Sequence, residues 1–192
     1  MINYLKHTSL PLYYENILWS ISPYTGTLYR GKININANES QKIPDKVSKA
    51  LELCNYPYCC SPNEETNNLS YDGELLNRVN IFHDRFLKIS NKYFYLNRLY
   101  ASIKYPIFDS TTQAISHINN LPIQIKERHS LCLQRSFLAA KISDSFIRDG
   151  VIFIGAFLPT GDMHAWIIEK DMQPDYSDRG WINYRPLLAL YH

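Results

Sequence analysis

The stretch Val151-Ile152-Phe153-Ile154-Gly155-Ala156-Phe157-Leu158-Pro159-Thr160-Gly161-Asp162-Met163-His164-Ala165-Trp166-Ile167-Ile168-Glu169 has the form of two strands around a turn. Residues 151–158 are almost continuously apolar, as a strand buried on both faces requires. Pro159-Thr160-Gly161-Asp162 carries turn chemistry. Residues 164–169 return as a second strand. Its period of two places His164, Trp166 and Ile168 on one face and Ala165, Ile167 and Glu169 on the other. A third extended stretch is expected to carry Asp175.

Working outward, Ser130 is a candidate N-cap for a helix over residues 131–148, on which Leu138, Ile142 and Phe146 recur at i+4. Asp149-Gly150 closes it, with glycine suited to the C-terminal turn. Cys132 then falls in the first helical turn. Upstream, Asp109 or Ser110 can cap a helix bearing Ala114, Ile115 and Ile118, which connects through Pro122. Lys104-Tyr105-Pro106 breaks a helical stretch over residues 74–103 marked by Leu75, Val79, Phe82, Phe86 and Ile89. Residues 55–73 are dense in Pro, Asn, Ser, Glu and Gly and are expected to be a loop. The first third predicts a β-hairpin: residues 12–22, a turn at Pro23-Tyr24-Thr25-Gly26, and residues 27–30. A helix over residues 44–53, with Pro44 in its first turn, presents Val47, Leu51 and Cys54 as an apolar stripe expected to face that hairpin. The fold class is α+β, divided at the break into residues 1–104 and 105–192.

Of the 192 residues 45% are hydrophobic and 20% charged, ordinary for a folded domain. The formal charge is only +2, which gives no global case for nucleic acid. No apolar run approaches the roughly 20 residues of a membrane span. Met1-Ile2-Asn3-Tyr4-Leu5-Lys6 lacks the pattern of a signal peptide, so the expected location is cytoplasmic. In that compartment Cys54, Cys59, Cys60 and Cys132 stay reduced. The Cys54-x4-Cys59-Cys60 cluster has no second ligand pair at zinc spacing, His83 being the nearest candidate, so no metal is assigned.

Among these thiols Cys132 has the surroundings of a nucleophile. A thiol attacks as its thiolate, and unpaired N–H groups at a helix start favour negative charge. His164 on a neighbouring strand can take and return the proton, and Asp175 can orient the ring. Main-chain N–H groups at the helix start, that of Cys132 included, can hold an oxyanion. Each residue alone has a blander explanation, a small buried thiol or a core histidine. The order Cys, His, Asp, with the thiol on a helix and the others on adjacent strands, is that of the transglutaminase and papain-like group.

The local sequence is more specific. Cys132-Leu133-x-Arg135-Ser136-Phe137-Leu138-Ala139, Arg148-Asp149-Gly150, Gly155-x-Phe157, His164-Ala165-Trp166-x-x-Glu169, Gln173-Pro174-Asp175 and Trp181-Ile182-x-Tyr184-Arg185-Pro186-Leu187-Leu188 together resemble the lasso-peptide maturation B proteins. These are leader peptidases related to transglutaminases. The resemblance implies a cysteine peptidase domain with Cys132 as nucleophile, His164 as base and Asp175 as orienter; Asp171 and Asp178 are neighbouring alternatives for the third. It also implies a small leader-binding module ahead of it, of the type called the RiPP recognition element, which takes the precursor's leader as an added strand. The implied partners are the lasso precursor peptide and an ATP-dependent lactam synthetase resembling asparagine synthetase. No cofactor is expected in this chain, since it has no Gly-rich phosphate loop and any ATP is used by the partner. Two rival readings stand beside this one: acyl transfer from the thioester to an amine by the same triad, as in a transglutaminase, and, of another class, a non-catalytic protein that presents the precursor.

Overall fold

A computed structural model of the chain describes residues 3–6, 10–14, 17–21, 28–30, 44–54, 73–101, 104–121, 132–157, 162–170 and 184–192. The expected turn at residues 23–26, the connection at Pro122, the cap Ser130 and Asp171, Asp175 and Asp178 lie outside them, as do the loop expected over 55–73 and the turn expected over 159–162 except for their last residues, Gly73 and Asp162, which instead begin a helix and a strand. The α+β class is observed. Its strands are β1 (Asn3–Lys6), β2 (Leu10–Tyr14), β3 (Ile17–Ile21), β4 (Leu28–Arg30), β5 (Val151–Phe157), β6 (Asp162–Ile168) and β7 (Tyr184–Tyr191). Its helices are α1 (Asp45–Leu53), α2 (Gly73–Ala101), α3 (Thr111–Asn119), α4 (Cys132–Lys141) and α5 (Asp144–Asp149). Among the described residues no helix is long and apolar enough to cross a membrane.

The continuous apolar run 151–157 becomes β5, and it is buried from Val151 to Ala156. It sits inside a four-stranded antiparallel sheet of order β1-β7-β5-β6. Alternation sorts its side chains into two cores. Ile152, Ile154 and Ala156 face a layer built from α2, α3 and α4, whereas Val151 and Phe153 face α1. The α1 stripe Val47, Ala50, Leu51 and Cys54 therefore packs on the sheet, against Trp166, Ile168 and Tyr184, and not on the hairpin. Fully apolar β5 needs cover on both faces, and α1 supplies the second. Strand β1 likewise joins this sheet, Asn3 opposite Tyr191 and Lys6 opposite Leu188, so elements from before the break at 104 are built into the sheet that follows it.

The expected strand over 12–22 is two strands. β2 and β3 pair antiparallel with Tyr14 opposite Ile17, and β4 adds to β3 with Ile21 opposite Leu28. Two polar residues, Glu15-Asn16, interrupt the apolar run of the sequence between β2 and β3. This three-stranded sheet reaches the larger core through Trp19 and Leu28.

The helix expected over 131–148 is also two. Phe108 forms a bridge at the break: its N–H donates to the Ile142 carbonyl (2.8 Å), and Asp144 N–H donates to the Phe108 carbonyl (2.9 Å). Ser143 then caps α5, its hydroxyl accepting from Phe146 N–H. A serine offering its own cap and a strand-like partner for the freed backbone together outweigh helix continuation. Ser110, not Asp109, caps α3.

Gly150 follows α5 with φ −80° and ψ 144°, so it adopts no left-handed turn. Glycine stands there because of close approach: an added Cβ would lie 2.6 Å from Phe146 Cγ and 2.7 Å from its Cα. Phe146 is fully buried and cannot yield. Gly150→Ala is expected to lower stability by about 1–3 kcal/mol, measured as the midpoint shift in denaturant unfolding.

Candidate functional site

Cys132 opens α4, where the first N–H groups have no partner within the helix and the dipole favours negative charge. The helix is held from both sides. Leu133, Phe137 and Leu138 belong to the core beneath the sheet, and α2 covers the outer side with Tyr93 and Tyr100 against Phe137 (ring centroids 5.8 and 6.0 Å). Burial of Phe137 thus aims the helix start at strand β6. Cys132 is partly exposed, and its Sγ accepts a hydrogen bond from the Ala165 N–H at 3.3 Å.

That contact puts the sulfur beside the main chain of the residue next to His164. β6 is the outer strand of the described sheet, so alternate residues turn their N–H outward, and Ala165 is one of them. The Ala165 side chain joins the core on the α4 face. The His164 ring lies on the other face, stacked on Trp166 (6.1 Å, 14° between planes) and tilted against Tyr184 (5.0 Å). Thiol and imidazole therefore meet the same edge strand, the thiol at its rim and the ring on the face away from α4.

Tyr184 reaches His164 through a defect in the sheet. Pairing of β5 with β7 shifts between Ile154, opposite Leu188, and Gly155, opposite Pro186. The extra residue, Leu187, turns into the core, and the one-residue slip carries Tyr184 onto the face of His164 and Trp166. Gly155 stands opposite His164 and has no side chain, so residues on the strands flanking β5 touch across it. Gly155 and Tyr184 stand outside the Cys–His–Asp pattern, yet a signal for them is present. A glycine inside an apolar strand and a proline inside another mark a bulge or a close approach.

Comparisons with protein-family models, curated proteins and solved structures give no match. The fold brings Cys132 to the strand of His164, while Asp175 falls outside the described residues.

Cys54 contrasts with Cys132. It is buried on α1 beside Trp166, and burial pushes its thiol up to about 11, with the indole contact opposing. It is a core group at neutral pH. His83 lies on α2, whose buried residues belong to the other core, and no cluster of three metal-ligating side chains occurs among the described residues.

β6 is anchored at both ends. Asp162 accepts from Arg85 of α2 at 2.9 Å. Glu169, just past the strand, accepts from Thr111 of α3 and from Ser145 of α5 at 3.1 and 3.2 Å, while Thr111, Ser143 and Ser145 bond one another. Burial holds Glu169 above its ordinary value of 4.5, opposed by those two hydroxyl donors.

Two outcomes follow from this geometry. Glu169 binds its proton more tightly folded than unfolded, so its stabilising share is complete below pH 4.5 and is lost as pH rises through the raised value. The stability difference between wild type and Glu169→Gln is expected to tilt against wild type across that window, read from unfolding midpoints at a series of pH values. Gly155→Val would put a branched side chain opposite His164, in the gap that glycine leaves on the strand between His164 and Tyr184. Displaced His164 ring signals in proton NMR, with the circular dichroism of the sheet retained, are expected; unmoved signals would show that the ring does not depend on the gap.

Proposed function

We propose that the chain is a cysteine peptidase that removes the leader from a ribosomally made, lasso-type precursor peptide. The observation that carries this is the seat of Cys132: first residue of α4, its sulfur 3.3 Å from the amide beside His164. The resemblance of the surrounding motifs to the lasso maturation B proteins supplies the substrate class. The small sheet β2-β3-β4 agrees in strand number with the leader-binding module that the resemblance implies, which has a three-stranded sheet.

In this reading the Cys132 thiolate attacks the carbonyl carbon of the last leader residue. The tetrahedral oxyanion is held by main-chain N–H groups at the start of α4. His164, oriented by Asp175, delivers a proton to the leaving nitrogen, which departs as the free amine of the core peptide. Water, deprotonated by His164, then hydrolyses the thioester, and the leader leaves as a carboxylate. The freed amine is the group that an ATP-dependent lactam synthetase joins to an acidic side chain, which makes such an enzyme the expected partner. The chemistry described needs no metal or cofactor in this chain.

Incubation of precursor with the protein, analysed by mass spectrometry, tests the reading. A leader with a free terminal carboxylate is expected, and Cys132→Ala should lower its rate roughly a thousandfold or more. A leader recovered as an amide or ester would identify an acyltransferase instead, and unchanged maturation with Cys132→Ala would leave a precursor-binding protein.

A further inference from the structure

In the described sheet the outer edge of β6 is met at one residue by two side chains of α4. Ala165 N–H donates to Cys132 Sγ at 3.3 Å, and the Ala165 carbonyl accepts from the Ser136 hydroxyl at 3.5 Å. N–H and C=O of one strand residue point to the same side, and Cys132 and Ser136, at i and i+4, stand one above the other on the helix. The two spacings match, so a single helix face meets both groups. Ser136 is buried, and so is Ala165.

We infer that this pair of contacts is the positioning device of the nucleophile: the Ala165 amide is a donor to the Cys132 thiolate, and Ser136 is the residue that holds the amide in place. The inference rests on Cys132 being the nucleophile of the proposed peptidase. Its physical content is separate. An N–H aimed at sulfur bonds more strongly to a charged acceptor than to a neutral one. The same bond keeps the sulfur at the rim of the strand that carries His164. Ser136 acts at one remove. By engaging the carbonyl of the same residue it gives Ala165 a second contact with α4 and fixes where the Ala165 N–H points, midway between the two anchored ends of β6. The helix start and the strand amide thus act on the sulfur together, from two elements locked by one register.

The test reads the thiol itself and so does not depend on finding a substrate. In the full-length chain, Ala165 is replaced by lactate, which exchanges the N–H for an ester oxygen and keeps the methyl side chain. Alkylation of Cys132 by iodoacetamide is then followed across pH, with mass spectrometry of the Cys132 peptide separating it from the other thiols. The acid limb of the rate profile is expected to fall about tenfold, the scale of one hydrogen bond to a charged group, while the alkaline plateau is unchanged. Ser136→Ala should shift the limb in the same direction by a smaller factor, and Ser136→Thr, which keeps the hydroxyl, should restore it. The Ser136 pair gives the same comparison should the ester chain not fold. Superposable profiles would overturn the inference, and so would a loss of equal size at every pH, which reports access instead of charge. Absence of peptide cleavage with a normal shift of the limb would remove the peptidase reading and leave the thiolate donor standing.

Discussion

Strand β5 has a hydrogen-bonded neighbour on each edge and a packed layer on each face, so none of its main-chain groups can turn to water. An unpaired buried N–H or C=O costs about 1–3 kcal/mol, and β5 runs from Val151 to Phe157. Pairing to both β6 and β7 is therefore obligatory, and the rest of the molecule is arranged around those two ladders. Beyond β7 lies β1, which brings the first described residues of the chain against the last. Helices α2, α3 and α4 cover one face and α1 the other, because a strand apolar at every position leaves two surfaces to be hidden and not one.

The candidate site occupies the two places where this sheet departs from regularity. One is the outer edge of the described sheet, where α4 answers the polar groups of Ala165 on β6 with Cys132 and Ser136. The other is the slip between β5 and β7, where Gly155 and Pro186 meet and Leu187 is turned inward. The first puts a thiol beside the strand of His164. The second gives His164 an aromatic neighbour that a regular ladder would have turned to the opposite face. A slip of one residue reverses the facing of everything beyond it, so a small defect has a large effect on what surrounds the imidazole.

Polar side chains decide several joints that apolar periodicity leaves open. Ser143 ends one helix and starts another, with Phe108 bridging the gap. Thr111, Ser143, Ser145 and Glu169 bind the starts of α3 and α5 to the end of β6. A buried cluster of this kind is stable only when nearly every member has a partner. Here the hydroxyls donate to one another and to a carboxylate whose burial raises its proton affinity. The strand that carries His164 is thereby tied to two helices at one end and, through Arg85, to a third at the other.

The elements with local signatures were legible from sequence: β5 from its unbroken apolar run, β6 from its period of two, α1 behind Pro44, α3 behind Ser110, and Cys132 at a helix start. Each depends on neighbours a few residues away, so composition and spacing carry it. The partner of each element was not legible. The stripe Val47, Leu51 and Cys54 announces a buried face without naming the surface that buries it, and only the second bare face of β5 assigns it to the sheet instead of the hairpin. Gly150 resembles a helix-ending turn residue in sequence, whereas the ring of Phe146 is the reason no larger residue fits. The tertiary structure alone sets Cys132 against the amide of Ala165 and Tyr184 against His164, because those contacts depend on the register between distant segments, which is fixed by the packing of the whole sheet.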